Sequence, residues 1–415
     1  MRQSSVSLTP YQSVLVKAWN NLTRLAPGRL MSPALSLDAL MKSAVSNAGF
    51  DDFGSTSFHE PLGILLESLA ETGDLTPFGR FYVKAMITEF LANRLKLVDL
   101  WGRQPEILKA TVRKPVIILG LPRTGTSFLF NLLSQDPAHR FLSNWETTVA
   151  QVPPEGAYTW KNDPRRKKGK YLMRFQNYLV PQMKEMHQFY LDGPEECTPL
   201  LMQEFTTQAL AGMFNVPSYS GWLDTASHSA TCQHHKQCLQ TLQWKYPGER
   251  WLLKSPDHIA AIEAMLEIYP DACVIHMHRD PVKSVASWAS LNAAFRGIYM
   301  RSINVGELGQ QVLNRLATDV TSYLSQRQRC VPDRFLDLQY RDLTTDPLGM
   351  VQRIYERFDL DLSSAAEERI RGFLAQDRGR GRAHHYSPGD FGLTPQLIQG
   401  RFEEYINIFS VDRES

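Results

Sequence analysis

The stretch "VIILGLPRTGTSFLFNLLSQDP" (Val116–Pro137) decides how the rest of the chain is read. Val116 to Leu119 form a short apolar run of the buried-strand kind, Gly120 ends it, and an apolar helical pattern begins after Gly125. In a phosphate loop of the form G-x-x-x-x-G-K-[ST], backbone amides cradle phosphates and the lysine reaches the β and γ groups. Gly120, Gly125 and Ser127 keep that register, but Thr126 stands where the lysine would be. The nearest positive charge is Arg123, inside the loop. A glycine-bearing turn leading into a helix still offers amide donors and the positive end of the helix dipole to an anion. Thr124, Thr126 and Ser127 add hydroxyls. The stretch predicts a phosphate-type ligand held without the kinase lysine.

Outward from this loop, three more apolar runs read as strands: Arg250–Ser255, Ala272–Arg279 and Arg334–Tyr340. Helical patterns such as "PDHIAAIEAMLEIYP" and "DPVKSVASWASLNAAF" lie between them. Strands alternating with helices predict an α/β fold, a parallel sheet flanked by helices and P-loop-like at its first turn. Ligands in such folds bind beyond the carboxyl ends of the strands. Before Lys109 the apolar spacing is helical, which sets off an N-terminal helical lobe over residues 1–110. Residues 111–345 form the expected core. It is interrupted at about 158–244 by a segment rich in Met, Phe, Tyr and Leu, read as an inserted helical acceptor layer. Residues 346–415 complete the chain with a helix and an Arg/Gly loop, "DRGRGRAHHYSPGDFG".

Composition narrows the class. The 415 residues are 43% hydrophobic and 21% charged, which suits a globular enzyme, and the net charge of +2 argues against nucleic acid as a partner. Five cysteines without a repeating framework point to a reducing compartment, and a cytoplasmic location is expected. No secretory signal pattern is present, and no run reaches the ~18 apolar residues of an integral membrane segment. The His234-His235 and His384-His385 pairs lack carboxylates at ligand spacing, so no metal is assigned. The basic run "RRKKGK" (Arg165–Lys170) is a solvated face, or a surface that attracts an anionic carrier or membrane. A two-fold homodimer is the default assembly.

Taken together, "GLPRTGTS", Trp145-Glu146, Gly193–Glu196 ("GPEE"), Trp251–His258 ("WLLKSPDH"), His278–Pro281 ("HRDP"), Tyr340–Pro347 and Phe391–Leu393 ("FGL") occur in order. This set resembles a bacterial branch of the sulfotransferases that use 3′-phosphoadenosine 5′-phosphosulfate (PAPS), distantly related to tyrosylprotein and cytosolic sulfotransferases. The resemblance covers about Val116 to the C-terminus. It implies that Gly120, Arg123, Thr124, Gly125, Thr126 and Ser127 hold the 5′-phosphosulfate. It also implies that Phe128 stacks on adenine, that Arg279 and Ser287 grip the 3′-phosphate, and that Arg380 and Arg382 cap it. No metal is implied.

The same resemblance makes Arg123 and Lys254 the cations that stabilise charge on the transferring group and the bridging oxygen. Two residues compete for the base. Glu146, in "NWETT", matches a catalytic glutamate of the tyrosylprotein branch and is preferred. His258 follows Lys254 by four residues, whereas cytosolic relatives carry a histidine two residues after theirs. Glu196 is assigned more loosely to the acceptor side. The expected reaction moves a sulfuryl group to a hydroxyl of a small or lipid-like acceptor and releases adenosine 3′,5′-bisphosphate. Its rivals are a P-loop kinase or NTPase, which Thr126 argues against, and an inactive nucleotide-binding scaffold.

Overall fold

The protein is described by a computed structural model covering residues 7–8, 12–25, 34–149, 151–181, 190–377 and 386–414. Its centre is a five-stranded parallel sheet: β1 (Val116–Gly120), β2 (His139–Arg140), β3 (Arg250–Lys254), β4 (Cys273–His278) and β5 (Phe335–Gln339). The strand order is β2-β3-β1-β4-β5, and every neighbouring pair is parallel. Chain direction reverses its progress across the sheet on either side of β1, so β1 is the switch point where a ligand crevice opens.

The strands read as continuous apolar runs because helices cover both faces. On one face Val116, Ile118, Ile275 and Met277 pack with Leu129, Leu133, Val351 and Ile354. On the other, Ile117 and Leu253 meet Leu239 and Met265, while Leu119 and Val274 meet Val312 and Leu316. This alternation is the two-residue period of a strand, with each register fixed by the face it buries.

The helices before β1, chiefly His59–Thr72 and Pro77–Arg103, do not form a separate core. Leu62, Leu65, Ile87 and Leu91 share one apolar cluster with Phe205, Leu210, Phe214 and Tyr219 of the segment between β2 and β3, and with Ile298 and Tyr299. Burying a large aliphatic side chain contributes about 1.5–3 kcal/mol. The N-terminal helices and the inserted segment therefore stabilise each other. Among the described residues, no helix is long and apolar enough to cross a membrane.

Candidate active site

β1 delivers the chain into the loop Leu121–Arg123 and then the helix Thr126–Leu133. Gly120 sits at φ +155°, and a Cβ there would lie 2.6 Å from the Met277 carbonyl oxygen on β4. Gly125, at φ +88°, would drive a Cβ to 2.8 Å from Leu343. Both glycines are required by close approach. Arg123 adopts φ +69°, a left-handed conformation that costs a non-glycine residue about 1 kcal/mol or more. Thr124 closes the turn by donating its hydroxyl to the Leu121 carbonyl at 2.7 Å. No side chain caps the helix at Gly125, so its first amides remain available to an anion.

The carboxyl end of β3 supplies Lys254, only 5% exposed. Its ammonium donates to Ser127 Oγ at 3.1 Å and forms an ion pair with Glu196. Glu196 in turn accepts from the Thr198 hydroxyl at 3.2 Å. Behind this pair runs a buried hydroxyl–carboxylate chain. Thr198 Oγ1 meets Ser255 Oγ at 3.0 Å, Ser255 donates to Asp257 at 3.2 Å, and Asp257 also accepts from the Thr207 hydroxyl and the Gln208 amide. Burial pushes the Asp257 carboxyl above its ordinary range despite those donors. Ser255 and Asp257 had no role in the sequence reading, although their place directly after Lys254 is the one visible signal.

A narrow cleft, with room of about 70 Å³, opens over these groups. Gly120, Arg123, Thr126, Ser127, Lys254 and Ser287 all line it, together with Glu196. Arg279 follows β4 directly. Its Nη1 donates to the Arg123 carbonyl at 2.9 Å, its guanidinium lies 3.8 Å from the Tyr340 ring centroid, and Glu414 pairs with it. Phe128 does not line the cleft; its ring packs 6.1 Å from that of Phe373. Arg380 and Arg382 lie outside the described residues.

The two candidate bases, Glu146 and His258, both stand apart from the cleft lining. Glu146 is fully buried and both its oxygens are engaged. Arg140 donates to it at 3.0 Å, and the Ser143 amide donates at 3.1 Å in a capping box. A carboxylate held in this way braces the helix Asn144–Thr148 and does not reach the cleft. His258 is buried behind the cleft beside His235, the ring centroids 5.9 Å apart, and burial lowers its pKa to about 3. It does not line the cleft either. The carboxylate that does is Glu196. Its neighbour Glu195 accepts instead from Asn144 at 2.8 Å, so "GPEE" divides into one structural and one cleft-facing acid.

One further polar cluster lies on the sheet, where His276, His278 and Asp337 face each other. Arg327 donates to both Asp337 oxygens and already balances the charge that a cation would use. His278 is occupied by Tyr405 and Asp337, each at 2.9 Å.

Residues 115–364 match the family described as "Sulfotransferase family". A curated relative, the omega-hydroxy-beta-dihydromenaquinone-9 sulfotransferase Stf3 of Mycobacterium bovis, is 25% identical over 316 residues, which span 72% of this chain and 76% of that protein. Among solved structures, sulfotransferase STF9 from Mycobacterium avium superposes with a TM-score of 0.84 at 32% identity, covering 92% of this chain and 98% of that one. Sulfotransferase STF1 from Mycobacterium tuberculosis H37Rv gives 0.78 at 29% identity, covering 90% and 100%.

Proposed function

Because the chain belongs to the sulfotransferase family, we propose that its cleft binds PAPS across the β1 switch point and passes the sulfuryl group to a hydroxyl of an apolar, lipid-like acceptor. The observation that carries this reading is the position of Lys254, between Ser127 on the loop helix and Glu196 on the opposite wall. One cation reaches both a donor-side hydroxyl and an acceptor-side carboxylate.

In the proposed reaction the acceptor oxygen attacks sulfur in line. Its proton passes to Glu196, the new O–S bond forms, and the bond between sulfur and the bridging phosphate oxygen breaks. Negative charge collects on that oxygen, where Lys254 and the free amides of the Thr126–Leu133 helix stabilise it. Arg123 holds the outer oxygens. Arg279, just after β4, and Ser287, two turns into the helix Pro281–Tyr299, take the 3′-phosphate. While Lys254 and Glu196 pair, each neutralises the other. A bound donor draws the ammonium toward its leaving oxygen and frees the carboxylate for the acceptor. The acceptor class is supported by the relative whose name specifies an omega-hydroxy-beta-dihydromenaquinone-9.

Thermal stabilisation tests the donor assignment. Adenosine 3′,5′-bisphosphate should stabilise the protein strongly, and ATP with Mg²⁺ only weakly. Stabilisation by ATP–Mg²⁺ alone would remove the PAPS reading.

A further inference from the structure

The helix Arg165–Leu179 carries six basic residues and no acidic one, on a chain whose net charge is only +2. Three of the six are spent within the fold. Arg165 pairs with Asp163, Arg166 with Asp192 and Lys168 with Glu89. Lys167, Lys170 and Arg174 are exposed and form no ion pair among the described residues. Between them stand Tyr171, Phe175 and Tyr178, exposed by 61%, 42% and 48%. Positions 167, 170/171, 174/175 and 178 fall at helical intervals of three and four, so cations and aromatics share one outward stripe. The inward face is fixed separately, by buried Arg165, Gly169 and Leu179. A Cβ at position 169 would lie 2.5 Å from Trp145 Cβ, which shows how closely the helix is seated.

We propose that this stripe docks the protein on the surface of an anionic lipid bilayer. A solvent-facing helix with unpaired lysines and interleaved tyrosines and phenylalanine has the chemistry of an interfacial helix. The aromatic rings enter the boundary between headgroups and acyl chains, and the cations meet anionic headgroups. An acidic protein partner would satisfy the charges, but it would leave a convex aromatic row without a matching groove. The bilayer accounts for both.

The location gives docking a purpose. The helix packs on Trp145, next to Asn144, and Asn144 donates to Glu195, the neighbour of cleft-facing Glu196. The helix that carries the docked face thus packs on the helix Asn144–Thr148, whose Asn144 holds the residue next to Glu196. An apolar alcohol dissolved in the bilayer would be met where it resides.

Co-sedimentation with vesicles tests the inference on the whole chain, with neither donor nor acceptor present. The protein should pellet with phosphatidylcholine vesicles containing phosphatidylglycerol, stay in solution with pure phosphatidylcholine, and be released by high salt. Lys167→Glu/Lys170→Glu/Arg174→Glu should lower partitioning about a hundredfold. Tyr171→Ser/Phe175→Ser/Tyr178→Ser should lower it about tenfold with the salt dependence kept. All six residues are exposed, so unchanged melting temperatures would verify the fold. No binding to the anionic vesicles at low salt would overturn the proposal, as would full binding by the charge-reversed variant. Retention by an acidic protein while vesicles are ignored would also overturn it. Because no nucleotide enters the assay, its failure leaves the sulfotransferase reading standing, and loss of that reading leaves this result intact.

Discussion

Glu414 holds Arg279 by two hydrogen bonds, 2.6 Å to Nε and 2.8 Å to Nη2, across 135 residues of sequence. The guanidinium keeps the Glu414 carboxyl below its ordinary range. In the free protein this carboxylate takes the fork that the proposed 3′-phosphate would use, and binding must displace it. Glu414→Gln should therefore tighten adenosine 3′,5′-bisphosphate about fivefold, the worth of a partly exposed ion pair, and leave 5′-AMP unchanged. Arg279→Ala should weaken the bisphosphate about a hundredfold. Titration calorimetry with both nucleotides checks each number, and equal effects on the two would exclude a 3′-phosphate contact.

Lys254→Ala should cut turnover about a thousandfold if, as proposed, it removes the cation that stabilises the leaving oxygen. Glu196→Gln should cut it about a hundredfold or more through loss of the proposed proton acceptor. Bisphosphate affinity should change little in Glu196→Gln, since the proposal assigns its carboxylate to the acceptor and not to the nucleotide. Rapid-quench turnover beside equilibrium binding separates the two effects. An active Glu196→Gln enzyme would return the search for the base to its start.

Glu146→Gln addresses stability. Arg140 is only 10% exposed and Glu146 is fully buried, so removing one charge leaves the other uncompensated. The expected loss is about 3 kcal/mol in denaturant unfolding, with kcat retained by the folded protein. Loss of kcat without loss of stability would reinstate Glu146 as a catalytic group.

Acid sensitivity should trace to buried histidines. His258 is neutral in the fold, with its pKa lowered to about 3, and that of buried His234 is lowered to about 4. Unfolded, each binds a proton near pH 6.5. Below that value the unfolded chain holds more protons than the fold, so stability falls as pH drops from about 6.5 toward 3. Each such histidine contributes a slope of about 1.4 kcal/mol per pH unit across that window. Melting curves from pH 7 to 4 should show the decline. His258→Gln should flatten it by one proton and, if Glu196 is the base as proposed, keep kcat within about twofold of the wild-type value. A pH–rate limb that vanishes in this variant would give His258 a chemical role.

Much of the sheet was legible because parallel strands buried on both faces are spelled as plain apolar runs, as in Val116–Leu119 and Cys273–His278. The edge strand His139–Arg140 escaped notice, since two polar-type residues carry no period. The glycine loop was legible as a strand-to-helix turn for a local reason: glycine register and a flanking strand lie within a dozen residues. The acidic residues were not. "NWETT" and "GPEEC" look alike as sequence, and what separates them is distant. Arg140 claims Glu146, Asn144 claims Glu195, and Lys254 pairs with Glu196. Glu414 was equally hidden, because nothing near it in sequence names Arg279 as its partner.

The sheet also acts as a ruler. Lys254 ends β3 and Arg279 follows β4, with β1 between them. Two inter-strand steps of about 4.8 Å separate those strands, so the span between the two cations is set by backbone hydrogen bonding and not by side-chain choice. A substitution can change how firmly either end is held. Altering the length being gauged would require a bulge or a shift of register in the strands themselves.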